Sequence, residues 1–272
     1  IFRFIHDISE AFAGSVEPQV DFLLQRVLLY AQQTAKARGG AIYFCEPDGE
    51  TLRARAVSGL FPPLGETAVS AVPPEGDGFM QRIEMLVRNQ TIVIGAGLVG
   101  QVAKDGYALL IEDAERDQRV PRFASGFLQI QSILLAPMRF QSGVLGVLAL
   151  VNRIDGAFFN QADLNLLQAL ADHASITIYY AKFHEELEKK RVLDSDLRVA
   201  RRIQKAMLPT RIPLVPGLDM AAFSEQAREI GGDYYDFVRI DQDHIGLAIA
   251  DVSGKGVSGA ILMSVCRSVF RA

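Results

Sequence analysis

The sequence predicts an α+β protein with two folded parts that one long helix joins. Strand-like apolar runs alternate with helical patterns over roughly the first 150 residues. No proline or glycine interrupts residues 161–208, a stretch too long for an ordinary globular helix. Strand-like patterns return between residues 218 and 250, and a last helical pattern follows at 257–271. Two folded parts on either side of a helical connection account for this order.

Composition narrows the class of protein. Hydrophobic residues make up 49% and charged residues 22% of the 272 residues, which is typical of a globular chain. The net charge of -4 argues against a nucleic-acid-binding protein. There is no signal peptide and no apolar run of membrane-spanning length, and the two cysteines are far apart. We therefore expect a cytoplasmic protein with free thiols, and we expect Ile1, which lies in a helical pattern, to be cut from a longer chain.

The elements of the first part follow from local patterns. Helical spacing predicts a helix over residues 1–14, which ends at Gly14-Ser15, and a second helix that Pro18 opens. Strand-like runs at 41–45 and 51–57 flank an Asp48-Gly49 turn and predict a hairpin. The later predicted elements are, in order, a helix at 79–89, a strand at 91–94, a helix at 97–105, and strands at 108–111, 132–139 and 144–151.

The long helix carries an apolar stripe that needs a partner. Apolar residues recur at coiled-coil spacing up to Phe183 and Leu187, and after Lys190 the stripe resumes through Leu197. Such a stripe either packs on its own domains or pairs with a second chain in parallel, and we favour pairing. The sequence thus predicts a dimerising, coiled-coil-like linker helix over residues 181–208, with Phe183, Leu187 and Leu197 at the homodimer contact.

Two acidic residues flank a predicted hairpin near the C-terminus. Asp233 precedes the strand-like run 234–240, and Asp251 follows the run 245–250. Antiparallel pairing of these runs brings both acids to the same end of the hairpin. Carboxylate oxygens are the ligands that Mg²⁺ and Mn²⁺ prefer, whereas two ordinary turns, which favour Asp and Gly, are the alternative explanation.

The sequence around these acids resembles the phosphatase domains of bacterial sporulation and stress-response regulators, within the metal-dependent protein phosphatase superfamily. The resemblance runs from about Ala200 to Ala272 and is carried mainly by Glu229–Phe237 (EIGGDYYDF) and Asp251–Gly256 (DVSGKG). GGDEF-type nucleotide cyclases share Gly231-Gly232-Asp233, but Tyr-Tyr-Asp-Phe follows here, and the second motif has no place in that family.

This resemblance implies a β-sandwich flanked by helices, with two Mn²⁺ or Mg²⁺ ions at one end. Asp251 would bridge both ions, Asp233 would hold one of them, and the carbonyl of Val252 would be a further ligand. The implied substrate is a phosphoserine or phosphothreonine on an anti-sigma-factor antagonist. Related domains supply further acidic ligands from a second half. Residues 209–272 are therefore expected to be a truncated phosphatase domain that binds metal weakly and has little activity by itself.

A second resemblance is carried by five segments, in order Gly97–Gly106, Ile111–Ala114, Gly126-Phe127, Ser132–Met138 and Gly143–Asn152. With these segments, residues 15–180 resemble a GAF sensory domain. The resemblance implies a central antiparallel sheet with helices on its faces and a pocket between sheet and helices.

Four residues resemble a signature of the GAF domains that bind cyclic nucleotides: Asn152, Arg153, Phe159 and Asp163. Arg153 replaces a lysine of that signature, and Leu164 replaces its final acid. In that group the basic residue and the Asp pair structurally and do not contact the ligand. Binding of a cyclic nucleotide, binding of another small molecule or a partner protein, and a purely structural dimerising role all remain open.

Two hypotheses for function follow. The first is a signal-regulated phosphatase, in which the GAF domain senses, the linker helix transmits and the phosphatase domain acts. The second is a dimerising sensor or scaffold whose phosphatase-like domain is not catalytic. Neither hypothesis includes a nucleic acid or a membrane as a partner.

Overall fold

A computed structural model describes residues 20–65, 72, 75–141, 143–225, 230–252 and 256–271. The predicted helix at 1–14 with its Gly14-Ser15 end, Pro18, Glu229 and Ser253–Lys255 lie outside the described residues. Contacts divide the chain into two units, Ile1–Glu185 and Glu186–Ala272. No helix in the described ranges is long and apolar enough to cross a membrane.

Helices alternate with strands in the first unit, as its sequence predicts. Two of the predicted helices, at 79–89 and 97–105, agree with the structure to the residue. A 3₁₀ turn at Gly126–Leu128 precedes the last two strands. In chain order the elements are α1 (Val20–Thr34), β1 (Ala37–Cys45), β2 (Thr51–Gly59), α2 (Phe79–Asn89), β3 (Thr91–Val93), α3 (Gly97–Asp105), β4 (Leu109–Ile111), β5 (Ile133–Phe140), β6 (Gly143–Arg153) and the start of α4 (Gln161–Met207).

Within the described residues, six strands form one antiparallel sheet in the order β3-β2-β1-β6-β5-β4. The long strands β1 and β6 lie at its centre and pair from Ala37 opposite Arg153 to Phe44 opposite Gly146. The short strands β3 and β4 form its two edges. This arrangement confirms the antiparallel sheet that the sequence predicts.

Apolar side chains fill both faces of this sheet, because successive residues of a strand point to opposite faces. In β6, Val147, Ala149 and Val151 face one core, and Leu148 and Leu150 face the other. One core packs against α2 and α3, and the other packs against α1 and the first part of α4. Burial on both sides explains why β6 reads as a continuous apolar run and not as an alternating one.

The helix α4 contributes residues to both units. Its buried positions in the first unit recur at helical spacing and end at Ala181. Beyond that residue its side chains are mostly exposed, up to the last turn. The helix ends at Met207, two residues before Pro209, because the proline ring cannot continue the helical hydrogen bonding.

The second unit is built from the end of α4, a hairpin and a last helix. Strands β7 (Tyr234–Arg239) and β8 (Ile245–Ala250) pair antiparallel, which confirms the predicted hairpin. The helix α5 (Val257–Phe270) follows. Its small core joins Leu208, Tyr234 and Met263.

One predicted strand of this unit is wrong. The strand-like pattern from Leu218 to Phe223 predicts a strand, but the structure has only an isolated bridge between Val215 and Leu218 there. Phe223 is 83% exposed, and no strand within the described residues pairs with this run. A strand needs a hydrogen-bonding neighbour, which a local pattern cannot supply.

Candidate functional site

The hairpin places Asp233 and Asp251 at the same end of its two strands. Its register pairs Tyr234 with Ala250, so the two acids are the next positions outward on the two strands. Both carboxylates are exposed to solvent. The structure thus brings together the two acids that the sequence singles out.

The backbone beside the acids is packed closely. Gly232 lies against Val252, and a Cβ built on this glycine would lie 2.9 Å from the Val252 carbonyl oxygen and 3.1 Å from its Cβ. Only glycine therefore fits at position 232 without a shift of the backbone. The glycine holds the Asp233 loop next to the carbonyl that the resemblance implies as a ligand.

A cavity of about 660 Å³ adjoins the two acids. Its walls come from residues 219–225 and from one face of the hairpin, with Asp233 and Asp251 at the strand ends. Leu247 and Ile249 belong to this wall and are 64% and 92% exposed. The acids thus lie beside an open apolar hollow and not in the core.

The donor set suits a hard cation in part. Two carboxylates and a carbonyl oxygen are the ligand types that Mg²⁺ and Mn²⁺ take, and these ions keep several waters. Within the described ranges, however, no group of three or more His, Cys, Asp or Glu side chains converges on one point. Asp233 and Asp251 therefore suit such an ion by chemistry, as two carboxylates at the same end of the hairpin.

A third acid of the same motif, Asp236, has a structural role that the sequence does not indicate. Its side chain is fully buried and accepts hydrogen bonds from Tyr234 Oη at 2.7 Å and from Arg271 Nε at 2.6 Å and Nη2 at 2.8 Å. The Arg271 hydrogen bonds hold the pKa of Asp236 well below its usual range, against the effect of burial. Burial and the Asp236 hydrogen bond raise the pKa of Tyr234 to about 12. Asp236 thus ties β7 to the end of α5.

The last turn of α4 is bonded to the same region. The Gln204 amide donates to the Gly231 carbonyl and accepts from the Gly231 N–H at 3.2 Å, two residues before Asp233. Arg267 Nε of α5 donates to the Met207 carbonyl at 2.8 Å. Gln204 lies within the stretch that resembles a phosphatase domain, but the resemblance gives it no role. Arg267 has no local signal, because its partner lies 60 residues away.

In the first unit, Asn152 organises the end of the sheet. Its backbone has a left-handed φ of 51°, and its side chain accepts from the Gln131 N–H at 2.7 Å and donates to the Gln129 carbonyl at 2.7 Å. Ser132 Oγ accepts from the N–H of the buried Phe159 at 3.3 Å. These contacts show Asn152 and Phe159 within the fold's own packing.

Arg153 and Asp163 form an ion pair, with Nη1 to Oδ2 at 3.1 Å, and both side chains are largely buried. Asp163 also accepts from the Asn160 N–H at 3.1 Å, while Asn160 Oδ1 accepts from the Asp163 N–H at 3.2 Å. This reciprocal cap starts α4. The same guanidinium lowers the pKa of Asp155 far below its ordinary value, chiefly by hydrogen bonding.

A cavity of about 560 Å³ lies in the first unit among α1, the β1–β2 hairpin and α4. Lys182 Nζ lies 4.2 Å from the centroid of the Phe44 ring, a cation–π distance. Cys45 Sγ lies 3.2 Å from the Val144 carbonyl, and burial raises the pKa of this thiol. This cavity is a candidate place for a small molecule.

The predicted dimer contacts on α4 are accessible. Phe183 is 48% and Leu187 38% exposed, and Leu197 is half-buried. Upstream, Phe183 continues an aromatic row in which Phe140 stacks on Tyr179 with 3.9 Å between ring centroids. The structure leaves these apolar side chains available to a partner, and the dimer stays a prediction.

The family of the first unit is decided by a family model described as "GAF domain", which matches residues 18–178. The chain belongs to the GAF domain family. The antiparallel sheet with helices on both faces is the fold that the GAF resemblance implies.

Two curated proteins are similar to short stretches of this GAF-containing chain. "Phosphoserine phosphatase RsbU" of Bacillus subtilis is 40% identical over 75 residues, which are 28% of this chain and 22% of the relative. "Protein IcfG" of Synechocystis is 36% identical over 76 residues, 28% of this chain and 12% of the relative. The chain therefore spans less than a quarter of the length of either relative.

Solved GAF domains resemble the chain at low identity. The GAF domain of a phosphoenolpyruvate-protein phosphotransferase from Coxiella burnetii has a TM-score of 0.49 at 15% identity, and the match covers 68% of this chain and 96% of that structure. The second GAF domain of DevS from Mycobacterium smegmatis has a TM-score of 0.45 at 18% identity, with 62% and 99% covered.

Proposed function

We propose that this chain combines a GAF sensor with the first metal-binding hairpin of a protein phosphatase that acts on phosphoserine or phosphothreonine. The observation that carries the proposal is the β7–β8 register, which puts Asp233 and Asp251 side by side at the strand ends. The close packing of Gly232 on the Val252 carbonyl supports it. So does the 40% identity over 75 residues to a phosphoserine phosphatase.

In this proposal the acids of the hairpin and the Val252 carbonyl have distinct roles. Asp251 and Asp233 would hold Mn²⁺ or Mg²⁺, with Asp251 as the ligand shared by the two ions of the complete domain and the Val252 carbonyl as a further ligand. Ions held there would supply Lewis-acid chemistry, by lowering the pKa of a coordinated water. Asp236 fixes β7 to α5 through Arg271 and so keeps the strand that carries Asp233 in place.

The signal passes, in this proposal, from the GAF domain along α4. The helix runs unbroken from Gln161 to Met207, so it is the element along which a change in the GAF domain would pass. Parallel pairing through Phe183, Leu187 and Leu197 gives a homodimer in which both helices move together. Gln204 then connects α4 to the Asp233 loop through Gly231.

The proposed partners follow from the phosphatase resemblance. The substrate is a phosphorylated anti-sigma-factor antagonist, and a small molecule in the GAF domain is the candidate signal. Both cysteines are free, which suits a reducing compartment such as the cytoplasm.

A second function is favoured by a different observation. In the part of the chain that the structure describes, acidic side chains near the hairpin form a pair and not a larger metal-binding group. A dimerising GAF sensor or scaffold with a non-catalytic phosphatase-like domain needs no more than this pair.

Hydrolysis by the full-length protein separates the two functions. We expect Asp251→Asn to abolish Mn²⁺-dependent release of phosphate from a phosphoserine protein, because the bridging carboxylate is lost. Asp243→Asn, in the turn at the other end of the hairpin, is the matched control and should leave the rate unchanged. Full activity of Asp251→Asn contradicts the phosphatase role, and absence of hydrolysis by the unaltered protein supports the scaffold.

A further inference from the structure

The end of α4 carries a basic face. Arg198, Arg201, Arg202 and Lys205 are spaced i, i+3, i+4 and i+7, so they lie on one side of the helix, and all four are exposed. Residues 197–218 hold five cations and no acid, although the whole chain has a net charge of -4. Within the described part of the chain, no acidic side chain pairs with any of these four cations. Their charge is therefore available to a partner.

A groove of about 570 Å³ lies against this face. Arg201 and Lys205 line it, together with Thr210, and Leu208 and Pro209 form its apolar part. The volume is in the range of ligand-binding clefts. Cations in the last helical turns also stabilise the negative end of the helix dipole, but this effect does not require a groove beside them.

The basic groove adjoins the cavity of the proposed metal acids. Phe223, Ser224, Glu225 and Tyr235 line both this groove and the 660 Å³ cavity that contains Asp233 and Asp251. Tyr235 is held at the junction, because its hydroxyl donates to the Pro209 carbonyl at 3.4 Å. The groove and the cavity that holds the acids are therefore direct neighbours, with these four residues at their junction.

We infer that this groove, lined by Arg201 and Lys205, binds an acidic peptide segment next to the phosphorylated residue of the substrate. The inference rests on the proposed phosphatase function and adds a specificity-determining subsite to it. A guanidinium binds a carboxylate through two parallel hydrogen bonds, and an ammonium adds a point charge. Glu225 at the junction opposes an acidic segment.

A peptide fits this charge arrangement better than a nucleic acid or an anionic membrane does. The cationic stretch is short, the neighbouring cavity contains Asp233 and Asp251, and Glu225 lies at the junction. A uniformly charged phosphate backbone would be repelled by these acids beyond the basic face. A peptide can place acidic residues at the basic end alone.

Binding of labelled phosphoserine peptides, measured by fluorescence anisotropy in metal-free buffer, tests the inference. One peptide has Asp and Glu beside the phosphoserine, and the other has Asn and Gln. Arg201→Glu with Lys205→Glu should weaken binding of the acidic peptide by about tenfold or more and change the neutral peptide by less than about twofold. Arg26→Glu with Lys104→Glu, two exposed cations of the first unit, is the matched control and should change neither.

A variant of opposite sign adds a second readout. Glu225→Gln should tighten the acidic peptide by about two- to threefold, because one like charge is removed. If circular dichroism shows that the charge-reversal variant is unfolded, Arg201→Gln with Lys205→Gln is used in its place. This variant should lose about threefold in affinity for the acidic peptide. An unchanged affinity of the acidic peptide in a folded variant overturns the inference.

The same titrations separate this inference from the proposed function. Asp251→Asn should leave the ratio of acidic to neutral peptide affinity unchanged, since the basic groove is intact. If Asp251→Asn keeps that ratio and also does not weaken Mn²⁺ binding, the proposed metal site is wrong, whereas the peptide groove is still supported. An equal loss of single-stranded DNA or phosphatidylserine-vesicle binding on charge reversal overturns the peptide subsite.

Discussion

The two units bury their apolar residues in opposite ways. In the first unit the central strands are covered on both faces, so that Ile42 and Tyr43 are both fully buried. In the second unit the hairpin buries Tyr234 and Asp236 on one face and exposes Leu247 and Ile249 on the other. A two-stranded hairpin is marginal without such cover. The first unit is therefore stabilised by its apolar core, whereas the hairpin depends on hydrogen bonds and an ion pair to the helices.

The largest expected difference between the two units is the loss of stability when a buried or an exposed isoleucine is replaced by alanine. Ile42→Ala in β1 should lower the free energy of unfolding by about 2–5 kcal/mol, because it leaves a cavity in a closed core. Ile249→Ala in β8, where the side chain is 92% exposed, should change it by less than about 0.5 kcal/mol. Urea unfolding of both variants measures the difference. Equal costs would show that the two units bury their apolar residues alike.

Where α4 leaves the first core, its exposed apolar residues are the predicted dimer contact. Leu187→Glu with Leu197→Glu should raise the dimer dissociation constant by about a hundredfold or more, because two apolar contacts become charged. Val192→Glu with Val199→Glu is the matched control, since these exposed residues lie seven apart on the other side of the helix. Sedimentation equilibrium measures both variants. A parent chain that is monomeric at micromolar concentration would refute the predicted dimer of the linker helix.

The buried tie of Asp236 gives the next effect in size. Arg271→Ala should destabilise the hairpin by about 2 kcal/mol, since it leaves a buried carboxylate without its charged donor, and the half-exposed arginine limits the cost. Hydrogen exchange of the β7 and β8 amides measures it, and β1 and β6 should keep their protection. Unchanged exchange in β7 would show that the hairpin does not depend on this tie.

Much of this architecture could be predicted from the sequence, and the exceptions have a physical cause. The β7–β8 hairpin follows from two strand-like runs and a short turn, which places Asp233 and Asp251 at the same end. The Leu218–Phe223 strand fails because a strand-like run does not reveal whether a neighbouring strand exists. The Asp236–Arg271 pair joins residues 35 apart, and no local pattern indicates a contact across that separation.

Between pH 5 and 3, acid should reduce the stabilisation that the Asp236–Arg271 pair gives the hairpin by about 1 kcal/mol. Since Arg271 lowers the folded-state pKa of Asp236, its stabilisation is complete above the ordinary Asp pKa of about 4 and is lost as the pH falls toward the folded-state value. Tyr234 and Arg271, which contact this carboxylate, have raised pKa values and keep their protons throughout that window. Asp236→Asn should flatten the pH dependence of hairpin exchange. An unchanged slope would assign the acid sensitivity to other groups.

The metal site is tested most directly by Mn²⁺ titration of the whole chain, followed by paramagnetic broadening of backbone amide signals. This measurement detects weak binding and locates it. The proposed site predicts that broadening centres on Gly231–Tyr234 and Ala250–Val252, and that Asp251→Asn removes it while Asp243→Asn does not. Broadening that centres on the Asp241–Asp243 turn, or that survives Asp251→Asn, would contradict the assignment of Asp233 and Asp251 as metal ligands.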